Sequence, residues 1–200
     1  QVAIGQYVLQ IGDVHGGVVN IALPEQQPGA RPRPAPVDLR PRLFRGLLDR
    51  KTVVESASTA LQAARPVELA GQEGIGKTSL LRYLAHQPLT GSFGDGVVYL
   101  SARQQGAGDL RLALFDAFYD RDMSYRPTET QIKHALRDKK ALILLDDVDL
   151  TRAELELLMD AAPDCTFLLA GQSGHLWGEG HVLTLSGLPE IGRASCRERV

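Results

Sequence analysis

The chain is 200 residues long, 44% hydrophobic and 23% charged, with a formal net charge of −2. That length and apolar share fit one globular domain with a sizeable core and some chain left over for flanking segments. A near-neutral, slightly acidic balance argues against a surface that coats nucleic acid, and no apolar run is long enough to span a bilayer.

Residues 1–23 are glycine-rich, β-prone and almost uncharged, with Asp13 the sole acidic residue. Two short stretches, Tyr7-Val8-Leu9-Gln10-Ile11-Gly12 and Gly16-Gly17-Val18-Val19-Asn20-Ile21, lack proline and charge. Such segments stack in register, with amide ladders along the fibre and branched side chains in dry zippers. The Leu9-Gln10-Ile11-Gly12 tetrad, with Asn20 beyond it, resembles the RIP homotypic interaction motif and the amyloid-signalling motifs carried ahead of some receptor ATPases. That resemblance implies a homotypic partner through residues 7–21. An ordinary hairpin, or the end of a truncated domain, is the other reading. His15 falls in the intervening turn with no companion ligands for a metal.

Residues 24–42 hold six prolines and four arginines, a composition that reads as an extended, solvated linker. Its arginines either touch a phosphate or acidic partner or simply keep a spacer soluble.

From residue 43 to 189 apolar runs alternate with helical ones, the signature of an α/β fold with a parallel sheet between helical layers. The pattern predicts a helix over 52–64, a strand over Val67–Ala70, a helix running through His86, and a strand over 96–100. Helices follow at 110–118 and 128–137, a strand at 141–145, a helix at 152–160 and a strand at 166–170. A short fifth strand is expected at 182–185.

Between the first strand and its helix lies GQEGIGKT, Gly71 to Thr78, which satisfies G-x-x-x-x-G-K-[ST] in full. The backbone N–H groups of Gly71, Gln72, Glu73, Gly74, Ile75 and Gly76, continuing into Ser79, are expected to turn inward around phosphates. Lys77 then reaches the β and γ phosphates, and the Thr78 hydroxyl reaches Mg²⁺. A strand before and a helix after disfavour a glycine-rich turn with a chance lysine. A nucleoside tri- or diphosphate is the expected ligand.

Leu142-Ile143-Leu144-Leu145-Asp146-Asp147 is an apolar strand ending in two carboxylates. A carboxylate at the C-terminal end of a parallel strand points into the phosphate crevice, so Asp146 is the expected Mg²⁺ ligand. Asp147 is placed to orient or deprotonate an attacking water. On its own this pattern is weak; beside a complete phosphate loop it is specific.

The set GQEGIGKTSLL, GVVYLSAR, ALILLDDVD, CTFLLAGQ and LSGLP resembles the nucleotide-binding domain of the STAND signal-transduction ATPases, in particular the NB-ARC type, over about residues 43–189. The resemblance implies a P-loop NTPase fold, with ADP held in a closed resting state. It implies exchange for ATP, slow hydrolysis and homo-oligomerisation on activation. Leu48-Asp49-Arg50 stands where the family carries a Gly-Arg-Glu-like signature, which implies that Arg50 lies near adenine and ribose. The family's fourth strand commonly ends in a Thr-Thr-Arg-like sequence, whereas this chain has Ala170-Gly171-Gln172. Gln172 donates a hydrogen bond without charge, and Arg103 either supplies the missing charge or is a surface arginine. The competing readings are an AAA-like ATPase that turns over steadily and an adhesive protein that self-assembles regardless of nucleotide.

Cys165, inside Cys165-Thr166-Phe167-Leu168-Leu169-Ala170, reads as a buried strand residue of a reducing compartment. With no secretory signal visible, a cytoplasmic location is expected. Residues 190–200, EIGRASCRERV, resemble the translation of a common sequencing adapter codon for codon, and are read as an artefact. Leaving them out removes three arginines and two glutamates and moves the net charge from −2 to −3.

Overall fold

The computed structural model describes residues 2–4, 7–9, 29–47, 49–176, 178 and 180–187. In chain order the elements are β1 (Val2–Ile4), β2 (Tyr7–Leu9), β3 (Ala30–Pro32), β4 (Val37–Leu39), α1 (Lys51–Gln62), β5 (Val67–Ala70) and α2 (Lys77–Leu84). A 3-10 turn, Pro88–Ser92, leads to β6 (Gly96–Ser101), α3 (Ala107–Phe118), β7 (Tyr119–Arg121), α4 (Glu129–Leu136), β8 (Ala141–Val148), α5 (Arg152–Met159), β9 (Thr166–Gly171) and β10 (His181–Thr184). Six strands form one sheet in the order β10-β5-β9-β8-β6-β4, and every pairing within it is parallel. Among the described residues no helix is long and apolar enough to cross a membrane.

Period-two alternation along the strands builds two cores. Leu142 and Leu144 of β8, with Val67 and Leu69 of β5 and Leu168 of β9, pack against Ala57, Leu61, Leu80, Leu81 and Leu84 of α1 and α2. Their neighbours Ile143, Leu145, Phe167 and Leu169 face Leu110, Leu114, Leu136, Leu155 and Leu158 of α3, α4 and α5. A strand buried on both faces reads as a continuous apolar run, as β8 does. The result is the expected three-layer α/β/α P-loop fold. α4 and α5 begin at Thr128 and Thr151, each closing a capping box with Gln131 or Glu154 three residues on.

Three findings differ from expectation. The proline-rich run at 30–39, expected as a solvated spacer, supplies two strands: β3 pairs antiparallel with β7, and β4 adds a parallel edge to β6. Proline is tolerated at a sheet edge because only one side of the strand must donate. Val37 is the residue of β4 that is buried. Gly96 permits the approach: at φ 107° its Cβ position would overlap the Val37 carbonyl. β7, unforeseen, follows α3 directly. β8 runs through Asp146 and Asp147 to Val148, three residues past the predicted end.

At the N-terminus β1 and β2 pair antiparallel, Val2 opposite Leu9 and Ile4 opposite Tyr7. The Gln10–Ile21 part of the expected assembly motif, His15, Leu48 and the tail 190–200 lie outside the described residues. Cys165 is buried immediately ahead of β9, its Sγ 3.0 Å from the Lys139 carbonyl. Burial pushes this thiol up to about 11, so it stays protonated.

Candidate functional site: a phosphate loop facing two strand-end carboxylates

β5 delivers the chain into the loop at the carboxyl edge of the sheet. Gly74 and Gly76 sit at φ 77° and 96°, with open space around each Cβ position. Backbone conformation, rather than room, is what requires glycine there. α2 then starts with no side-chain cap and no acidic residue in its first turn. The free N–H groups and the positive end of the helix dipole are left for an anion.

Lys77 is 9% exposed. Its Nζ donates to the carbonyls of Gly71 and Gln72, both at 2.8 Å. Two of three ammonium N–H bonds thus brace the loop, and the third is available in the cleft that Lys77 lines. Ile75 packs its side chain toward the α1–α2 core. Gln72 and Glu73 are exposed, and Ser79 is half-buried.

Asp146 is 3% exposed. Oδ1 accepts from the Thr78 hydroxyl at 2.9 Å, and Oδ2 accepts from the Tyr99 hydroxyl at 3.0 Å. Tyr99 was not anticipated. It is three residues into β6, in register with Leu144, and faces the α1–α2 side of the sheet. Burial, then the charge and hydrogen bond of Asp146, push its phenol above the ordinary range, while Arg82 pulls the other way. Tyr99 therefore remains a donor to the carboxylate.

Between Leu145 and Val148 the β8–β9 register shifts: Leu145 pairs Leu169 and Val148 pairs Gly171, so two residues oppose one. Such a bulge re-aims side chains. Asp147 at this point takes φ 55°, is exposed, and lines the cleft. The cleft, about 560 Å³, is also lined by Glu73, Lys77, Arg103, Gln104, Asp149, Gln172, Ser173 and His175. Gln172 and Arg103, the two candidates for sensing a terminal phosphate, are thus both brought to it.

Arg50, expected near adenine and ribose, donates through Nη2 to the carbonyls of Ile75 at 3.2 Å and Ser186 at 2.8 Å. It ties the start of α1 to the phosphate loop and to the chain leaving β10. A second unanticipated feature is Glu68, in the middle of β5 and wholly buried. Its carboxylate meets His175 Nδ1 at 2.8 Å and accepts from the backbone N–H groups of His175 and Leu176 at 2.6 and 2.8 Å.

The fit to Mg²⁺ rests on the donor set. The paired Thr78 hydroxyl and Asp146 carboxylate are hard oxygens, and Mg²⁺ typically takes one or two protein ligands with phosphates and water completing the shell. Among the described residues no group of three or more His, Cys, Asp or Glu forms a closed cage.

The sequence profile of the AAA domain family matches residues 60–178. The chain belongs to the AAA domain family. The phosphate loop of this AAA domain and the two carboxylates of β8 fall inside the matched residues. Among solved structures, a DNA replication initiation factor superposes with a TM-score of 0.52 at 18% identity, over 80% of this chain and 54% of its own. A point variant of RuvB from Thermotoga maritima gives 0.50 at 23% identity, over 80% and 54%. A STAND protein with a tetratricopeptide repeat sensor from Pyrococcus horikoshii gives 0.48 at 17%, over 82% and 27%. The first two likenesses show the shared fold, and the chain spans about half the length of each. No curated protein matches the chain.

Proposed function

We propose that this AAA domain is an ATP/ADP switch of the STAND class, NB-ARC type, in which slow hydrolysis is coupled to homo-oligomerisation and signalling. The observation that carries the reading is the composition of the cleft around the expected terminal phosphate. The residue following β9 is the uncharged Gln172, and the acid opposite is the short carboxylate Asp147, held in a left-handed backbone. Such a site binds through Lys77 and the loop and carries no charge at the position directly after β9, which suits slow turnover and retention of nucleotide.

In this reading the inward N–H groups of the loop and Lys77 hold the β and γ phosphates. Thr78 and Asp146 would hold Mg²⁺, which would spread the phosphate charge. Asp147 orients the attacking water and accepts its proton. Arg50 couples the loop carbonyl of Ile75 to Ser186 beyond β10, so a shift in the loop on nucleotide exchange is felt where the chain leaves the sheet. The β-prone residues 7–21 are the proposed homotypic contact, brought together when the domains assemble.

Light scattering of the wild type and of Lys77→Ala, each with ADP and with a slowly hydrolysed ATP analogue, tests the reading. Assembly of the wild type with the triphosphate alone, and of Lys77→Ala with neither, is expected. Equal assembly of both proteins in either nucleotide would instead support nucleotide-independent adhesion.

A further inference from the structure

Among the described residues the most deeply buried polar side chain of the sheet is Glu68. A wholly buried carboxylate is tolerated only when its oxygens are satisfied, and an apolar residue between Val67 and Leu69 would have served the core without that cost. Alternation places Glu68 on the face opposite Val67 and Leu69, where the segment after β9 folds over it and supplies three hydrogen bonds. Glu68 therefore holds one particular side chain, His175. That imidazole lines the cleft with Lys77, Asp147 and Gln172, and its Nε2 lies 3.3 Å from the Ser173 hydroxyl.

Two backbone N–H groups on Oε2 mark Glu68 as an acceptor, so Nδ1–H of His175 donates to Oε1, and Nε2 is the nitrogen left to change its proton occupancy. A terminal phosphate also offers acceptor oxygens. A ring between a carboxylate and a phosphate is hydrogen-bonded on both sides only as the imidazolium.

We propose that His175, positioned by Glu68, recognises the terminal phosphate of a bound nucleoside triphosphate as a cationic donor and so sets the preference for triphosphate over diphosphate. This rests on the nucleotide-switch reading above. It places the charge missing at Gln172 three residues further along the same segment. The charged groups sharing the cleft wall with the ring are Glu73, Asp147, Asp149, Lys77 and Arg103, and Glu68 is the carboxylate in hydrogen-bond contact with it. The triphosphate preference therefore requires the imidazolium form of the ring.

The test is the affinity of the purified protein for ADP and for a non-hydrolysable ATP analogue, with Mg²⁺, at about pH 6 and about pH 8. The variants are His175→Gln, Glu68→Gln and Lys77→Ala. The titration of the analogue itself is common to all of them and cancels in the comparison. In the wild type the analogue-to-ADP affinity ratio should fall about tenfold between the two pH values, the size of one charge-assisted hydrogen bond. In His175→Gln and Glu68→Gln the ratio should be low and should lack that fall, keeping only the pH dependence that the nucleotides contribute to every protein, while ADP affinity, which also reports an intact fold, stays at the wild-type value. Should Glu68→Gln fail to fold, His175→Gln carries the comparison alone. An identical ratio and pH slope in the wild type and His175→Gln would overturn the proposal and leave nucleotide binding standing. If Lys77→Ala bound both nucleotides as tightly as the wild type, the nucleotide-site reading would fall, and this proposal with it.

Discussion

Thr78 and Asp146, 68 positions apart, meet at 2.9 Å across the carboxyl edge of the sheet. This pair sets the metal dependence expected of the site. Thr78→Val and Asp146→Asn should each leave metal-free nucleotide binding in place and weaken its enhancement by Mg²⁺ by about tenfold or more. Titrating Mg²⁺ at fixed ADP checks this; an unchanged Mg²⁺ dependence in both variants would place the metal elsewhere.

Asp147 leaves the ladder at the bulge and lines the cleft without holding the loop. Asp147→Asn is therefore expected to bind ATP as the wild type does and to lose about a hundredfold in single-turnover hydrolysis, the usual scale for a general base. Equal losses of binding and rate would make Asp147 a ligand instead.

Tyr99 holds the second oxygen of Asp146. Tyr99→Phe keeps the ring and removes one hydrogen bond to a buried carboxylate. The loss should be about 1–3 kcal/mol in urea unfolding, with a weaker Mg²⁺ response than that of Thr78→Val. A variant as stable as the wild type would show that Tyr99 adds nothing to the setting of Asp146.

Gly96 pairs with Val37, the buried residue of β4, whose backbone fills the place a Cβ would take. Gly96→Ala combines backbone overlap with a positive φ and should cost about 3 kcal/mol. Gly94→Ala, with open space around its Cβ position, is the control and should cost far less. Comparable losses would mean that β4 is not packed against Gly96.

Asp95 sits beside Lys139 and the backbone N–H of Lys140. Burial raises its pKa, but those hydrogen bonds and the two lysine charges outweigh burial and hold it below its ordinary 3.8. A depressed carboxyl contributes stability above its unfolded value that is lost as pH falls through the folded one. Wild-type stability should thus drop more steeply than that of Asp95→Asn below about pH 4. The difference should be about 1 kcal/mol or less, because solvent screens the pair. Urea unfolding at stepped acidic pH measures it, and parallel slopes would remove Asp95 from the acid response.

The phosphate loop and the strand-end acids were legible because their chemistry is contiguous: Gly71 to Thr78 is one uninterrupted motif, and Asp146 follows five apolar residues. The alternation of core strands and helices was legible for the same reason. β4 was not, because a three-residue proline-flanked edge strand gains its place through backbone hydrogen bonds and a single buried side chain, Val37. Tyr99 looked like one more apolar-strand residue; only its register beside β8 brings its hydroxyl to Asp146. Glu68 and His175 are 107 positions apart, and nothing in either local pattern announces the other.

The most direct test of the central claim is the nucleotide content and mass of the protein purified without added nucleotide, then denatured and analysed by chromatography. The account predicts near-stoichiometric ADP in a monomer. A nucleotide-free monomer that hydrolyses ATP steadily would contradict it and make this AAA domain an ordinary ATPase.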